Sequence, residues 1–172
     1  MAERLWAPWR MEYMKEDRPK EAGCLFCRVR AEDDDAANIV VARADNAFLM
    51  LNAFPYTSGH LMAAPNRHTA DFASLSPHEI ADLTDLVRRA MTALDAVYHP
   101  QGYNVGMNLG EAAGAGIADH IHIHVVPRWV GDTNFMAAVG DTRVLPDSLE
   151  ETARKIREVL EVGLHDGKTG PS

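Results

Sequence analysis

The sequence predicts an α+β protein: a mainly antiparallel sheet of about five strands packed against one long helix, with a second helix near the C-terminus. Three observations carry this prediction. Short apolar and β-branched runs are bounded by turn residues, one long capped segment has helical apolar spacing, and most inter-strand connections are too short for parallel crossovers. At 172 residues the chain is sized for a single domain with its own core. We divide it into an N-terminal docking arm (1–22), a core (23–130), a C-terminal extension (131–164) and a disordered tail (165–172).

In chain order, Leu5, Trp6, Trp9, Met11 and Tyr13 make the opening segment too apolar for a free tail, so it is expected to dock on the body or on a second subunit. The acidic run from Glu32 to Asp35 reads as a solvated loop. Residues 38–42 and 47–52 read as paired strands around the turn residues Ala44, Asp45 and Asn46, and residues 60–65 as a third. Ser76-Pro77-His78-Glu79 then opens the strongest helix, with a capping serine, a proline at the first helical position and a glutamate three residues after the cap. Ile80, Leu83, Val87, Ala90, Met91, Leu94 and Val97 form its apolar stripe, which should lie across the sheet. Pro100-Gln101-Gly102 ends it, residues 103–108 read as a fourth strand, and residues 110–116 form a glycine-rich loop. The fifth strand spans 119–128, and residues 148–160 form a second helix capped by Ser148 with Glu151 at the reciprocal position.

The fifth strand carries the chemistry. His120, His122 and His124 alternate with Ile121, Ile123 and Val125, so an extended backbone places all three imidazoles on one face and the aliphatic residues on the other. Three uses of such a face are open. The imidazoles could hold a catalytic metal; one could attack phosphorus, since a neutral imidazole is available near physiological pH; or the face could simply meet solvent. The preceding loop, with Gly114 and Gly116, could present backbone N–H groups to an anion, although it lacks the Gly-Lys-Ser/Thr ending of a P-loop.

Composition excludes some partners. A formal net charge of −8 opposes attraction to a nucleic acid polymer, and no apolar run approaches membrane-span length. With no signal-peptide core at the N-terminus, a cytoplasmic protein acting on a small ligand is expected. The two cysteines, Cys24 and Cys27, have a spacing that suits a redox pair or half of a zinc site. Zinc is preferred because a polar, Pro- and Gly-containing stretch precedes them, and the remaining ligands must then be histidines: one of the triad together with His68 or His60.

Asn52, Ser58-Gly59-His60, Pro65, Asn108, the glycine-rich loop and His120-Ile121-His122-Ile123-His124-Val125-Val126-Pro127 together resemble the histidine triad (HIT) superfamily of nucleotide hydrolases and transferases, over residues 24–128. Leu5-Trp6-Ala7-Pro8-Trp9-Arg10, the Cys-x-x-Cys pair and residues 129–135 further resemble a bacterial branch near the diadenosine tetraphosphate phosphorylases. The resemblance implies a HIT-like fold and cleavage of dinucleoside polyphosphates through a nucleotidyl-histidine on His122, released by inorganic phosphate or water. It places His124 on a nonbridging phosphate oxygen, with His120 in support and its carbonyl available to a ring nitrogen of His122. Asn108 is implied at the phosphates and Asn52 at the ribose. Structural zinc is implied on Cys24, Cys27, His68 and His120. A homodimer is also implied, with no organic cofactor and with Mg2+ entering only alongside the nucleotide.

Gly116 and Ile117 stand where many triad proteins carry Gln and Ser or Thr, so side-chain contacts to the leaving group are absent there and backbone donors must substitute. Asp119 is expected to face away from the imidazoles and receives no role. Competing readings are a zinc-stabilised nucleotide-binding module without turnover, a nucleoside phosphoramidate hydrolase, and a metal-dependent hydrolase with all three histidines as ligands.

Overall fold

The computed structural model of the chain describes residues 23–32, 34–132 and 147–166. Among these residues five strands, β1 (Val40–Arg43), β2 (Ala47–Leu51), β3 (Leu61–Pro65), β4 (Gly102–Gly106) and β5 (Ile123–Arg128), form one sheet in the order β1-β2-β3-β5-β4 with every pairing antiparallel. Among the described residues three α-helices accompany it: α1 (Leu25–Ala31), α2 (Pro77–Tyr98) and α3 (Leu149–Asp166). The expected fold class is the observed one. Among the described residues no helix is long and apolar enough to cross a membrane.

Strand alternation sorts the core into two faces. Leu49, Leu51, Leu61, Ala63, Ile121, Ile123 and Val125 lie against Leu83, Leu86, Ala90, Ala93 and Leu94 of α2 and Ile156 and Leu160 of α3. Phe48, Met50, Met62 and Ala64 point the other way and meet Phe26 and Val29 of α1. Strands β2 and β3 are therefore buried on both sides, which explains their unbroken apolar sequences.

Helix α2 starts as its sequence dictates: Ser76 accepts from Glu79 N–H at 3.3 Å, and the Glu79 carboxylate accepts from Ser76 N–H at 2.8 Å. Its stripe is shifted from the predicted one. Leu86 and Ala93 are fully buried, whereas Ile80, expected in the core, is 38% exposed, and in the first turn it is Glu79 that is buried. Ser148 caps α3 by accepting from Glu151 N–H at 3.2 Å, and the Glu151 carboxylate pairs with Arg154. The helix runs to Asp166 rather than ending at residue 160, so residues 165 and 166 are helical.

Other boundaries moved for identifiable reasons. Ile39 has φ of 50°, a left-handed backbone that a strand cannot contain, so β1 begins at Val40 instead of residue 38. The triad strand begins at Ile123 instead of residue 119: its ladder with β3 ends at the Ala63–Ile123 pair, although β3 runs on to Pro65 beside β2, and Ile121 N–H donates instead to Thr69 C=O at 2.9 Å. Strand β4 also ends early, at Gly106 opposite His124 rather than at residue 108. Helix α1 was not anticipated: seven residues are too few to show a period, and Cys24 caps it without a side-chain hydrogen bond. The acidic loop is tied down, Asp35 pairing with Arg43 and Asp34 accepting from Ala37 N–H.

The apolar docking arm (1–22), Phe135 and residues 167–172 lie outside the described residues.

Candidate functional site

The histidines gather on the α1 face of the sheet. Although the ladder starts only at Ile123, alternation persists upstream: Ile121 enters the α2-side core, while the rings of His120 and His122 lie 5.1 and 5.0 Å from the Phe26 ring of α1. The His122 and His124 rings are 4.8 Å apart and nearly perpendicular. His120 and His122 are buried and His124 half-buried.

Each imidazole has a different partner, and the partners assign the protons. His122 Nδ1 lies 3.0 Å from the His120 carbonyl, which can only accept, so this nitrogen carries the hydrogen and Nε2 of the neutral ring keeps its lone pair. Burial, partly offset by that carbonyl, pushes the His122 imidazole below its ordinary pKa and favours the neutral ring. His60 and His124 face each other, Nε2 to Nδ1, at 2.9 Å. His60 Nδ1 accepts from Tyr56 N–H at 3.2 Å, so neutral His60 donates through Nε2, which leaves the proton of neutral His124 on Nε2. Two adjacent rings thus have opposite characters: His122 Nε2 is a base and His124 Nε2 a donor.

His60 is the residue whose place the sequence left open. It is fully buried, stacked on Tyr56 with ring centroids 4.7 Å apart, and approached by Asn52 Nδ2 at 3.3 Å from Nδ1. Gly59 makes that position reachable: at φ of 77° a side chain would be strained, and a Cβ there would stand 2.6 Å from Leu94 Cδ2.

The other predicted ligand candidate, His68, joins the metal-type cluster. Ligating atoms of Cys24, Cys27, His68 and His120 all lie within 4.8 Å of one another. His120 Nδ1 is 3.2 Å from Cys24 Sγ and 3.8 Å from Cys27 Sγ, and His68 Nδ1 is 3.4 Å from Cys27 Sγ. A tetrahedral zinc with bonds of roughly 2.3 Å to sulfur and 2.0 Å to nitrogen spaces its ligands by about 3.3–3.8 Å, so these four residues fit a possible zinc site. The far nitrogen of His120 faces the Pro65 carbonyl at 2.9 Å, the outer contact expected of a ligating imidazole. Burial also lowers the His120 pKa, which favours the unprotonated ligand form. His122 and His124 are not in this cluster.

The remaining predicted residues are placed as follows. Asn52 is half-buried beside His60, its Oδ1 accepting from Phe54 N–H at 2.9 Å in a turn. Asn108 is half-buried two residues past β4. In the glycine-rich loop a short 3-10 turn, Glu111–Ala113, ends at Gly114 with φ of 80°, and Gly114 N–H donates to the Glu111 carbonyl at 2.8 Å. Gly116 follows, next to Ile117, which packs on the α1-side core. Asp119 lies in a turn, so the condition for its expected orientation, a strand beginning there, is not met, and its carboxylate is 4.0 Å from His68 Nε2.

With this geometry in view, similarity to known proteins is informative. The HIT domain family model matches residues 34–130. An AP-4-A phosphorylase of Mycobacterium tuberculosis is 38% identical over 88% of this chain and 81% of its own length. A crystal structure of a Zn-bound histidine triad family protein from Mycobacterium smegmatis, 32% identical, superposes with a TM-score of 0.68 over 85% of this chain and 98% of that one. A hypothetical histidine triad nucleotide-binding protein from Sulfolobus tokodaii, at 23% identity, shares the fold with a TM-score of 0.67 over 86% of this chain and 100% of that one.

Proposed function

The chain belongs to the HIT domain family, and from that premise we propose that it cleaves dinucleoside polyphosphates, diadenosine tetraphosphate foremost, by passing a nucleotidyl group through His122. One observation carries the proposal: the middle imidazole is held by the His120 carbonyl at 3.0 Å through Nδ1 and stands outside the metal-type cluster, leaving Nε2 as its nucleophilic atom.

In the first step His122 Nε2 bonds to the α-phosphorus, and the P–O bond to the remaining polyphosphate breaks with its electron pair on the leaving nucleotide. In the second, inorganic phosphate attacks the same phosphorus and the P–N bond breaks, regenerating the imidazole. From diadenosine tetraphosphate this yields ATP and then ADP; water as acceptor would give AMP. His124 Nε2–H donates to a nonbridging oxygen, where negative charge grows in the transition state. Asn108 and the loop at Gly114 and Gly116 are assigned to the phosphates and Asn52 to the ribose side, with Mg2+ entering only alongside the nucleotide.

A zinc ion on Cys24, Cys27, His68 and His120 would supply a structural brace. Held there, His120 presents its carbonyl to His122 while its own imidazole is occupied, which favours this assignment over a metal centre using all three histidines. A single domain acting as a cytoplasmic homodimer completes the proposal; for the homodimer, the edge position of β4 and its exposed Val105 are the support.

The test is product analysis by chromatography with diadenosine tetraphosphate. Wild type with phosphate should yield ADP plus ATP, and His122→Ala should lose at least about a thousandfold in turnover while retaining its fold. Near-wild-type turnover by His122→Ala would end the nucleophile assignment.

A further inference from the structure

We infer that the Arg67–Glu79 ion pair is a positioning device for the metal ligand His68, tying the cap of α2 to the metal centre; this rests on the zinc assignment above. His68 is the exposed member of the four ligands and sits on the connection after β3. Its ring has Cys27 on one nitrogen and Asp119 at 4.0 Å from the other, both on segments remote in sequence. An exposed ligand on a loop keeps its geometry only if the backbone beside it is held.

Both neighbours of His68 are held. On one side, Arg67 spreads its guanidinium over the start of α2: Nε donates to Glu79 Oε1 at 2.8 Å, and Nη2 donates to Glu79 Oε2 at 3.2 Å and to the Ser74 carbonyl at 2.9 Å. On the other, the Thr69 carbonyl accepts from Ile121 N–H at 2.9 Å, directly beside the ligand His120. The fork matters because two parallel bonds fix orientation as well as distance, which an ammonium would not do.

Capping alone does not account for Arg67. Glu79 needs only one oxygen, Oε2, to receive Ser76 N–H, and its Oε1 is turned to the guanidinium. One carboxylate therefore serves two masters, and chemistry can separate them. A glutamine at 79 retains an oxygen for Ser76, as capping boxes allow, but turns an NH2 group toward Arg67. Conversely, alanine at 76 removes the cap's hydroxyl and leaves the ion pair.

The experiment measures Zn2+ affinity of the full chain by competition with a chromophoric chelator, alongside thermal melting. Glu79→Gln and, on the more exposed partner, Arg67→Gln should each weaken Zn2+ binding about 10- to 100-fold, the range typical of outer-shell changes. Ser76→Ala should lower the melting temperature yet leave Zn2+ affinity at the wild-type value. Unchanged affinity in both glutamine variants, or an equal loss in Ser76→Ala, overturns the inference while leaving the zinc assignment intact. Failure of wild type to bind Zn2+ overturns both.

Discussion

The two faces of the sheet are made by the same strands and do opposite things. Toward α2 and α3 the alternating residues are uniformly apolar, and a helix of 22 residues closes over them. Toward α1 the alternation yields Phe48, Met50 and Met62 and then the histidines, covered by a helix of seven residues. A helix that short is far below the length at which helices persist by themselves, and its two buried side chains, Phe26 and Val29, offer little area to hold it. The difference says where the proposed zinc would act: one face is secured by burial, and on the other an ion on Cys24, Cys27, His68 and His120 would tie α1 to the segments after β3 and before β5.

That contrast can be broken from either side. The largest expected effect on stability is from Leu86→Ala on α2, which should cost about 2–5 kcal/mol in chemical denaturation, since the site is fully enclosed and leaves a cavity. Zn2+ affinity of the folded variant should be unchanged; a large loss would show that the faces are not independent. Next, chelation or Cys24→Ala should raise hydrogen exchange in α1 and around His122 before it does so in α2, a local rather than global opening. Simultaneous loss of protection in both helices would refute the division.

The smallest effect concerns acid. Hydrogen bonds from Arg67 and from Ser76 hold the Glu79 carboxyl down to about 2, below the ordinary carboxylate value. A carboxylate depressed on folding contributes stability that is fully present above its unfolded pKa and is lost as pH falls toward about 2. Glu79→Gln should therefore flatten the stability profile between about pH 4.3, the unperturbed glutamate value, and that acid limit. An unaltered acid limb would mean the pair adds nothing to folding.

Some of this was legible residue by residue. The Ser76–Glu79 box marks the start of α2 because capping is local, needing only three residues of spacing. The alternation of His120, His122 and His124 displays their common face because a strand's period is two, and it survives even where the ladder does not. Helix α1 was hidden by its brevity, Ile80 stands 38% exposed at the start of α2, and the strand ends depended on a left-handed Ile39 and on Ile121 donating to Thr69 where the β3–β5 ladder ends at Ala63 and Ile123. Periodicity reports none of these, since each is set by a neighbouring element.

The sequence by itself determined the element types, the common side of the three histidines and a short roster of ligands, all of which follow from spacing along one backbone. Spacing left His60 and His68 as alternatives, family resemblance implied His68, and the tertiary structure puts His68 beside Cys24, Cys27 and His120. The first was drawn to His124 and the second to Cys27, because those distances are fixed by how β2, β3 and α1 fold onto β5 and by no interval in the chain. The proton positions on His122 and His124 belong to the same category: an imidazole's tautomer is chosen by the partner opposite it, and the fold supplies the partners.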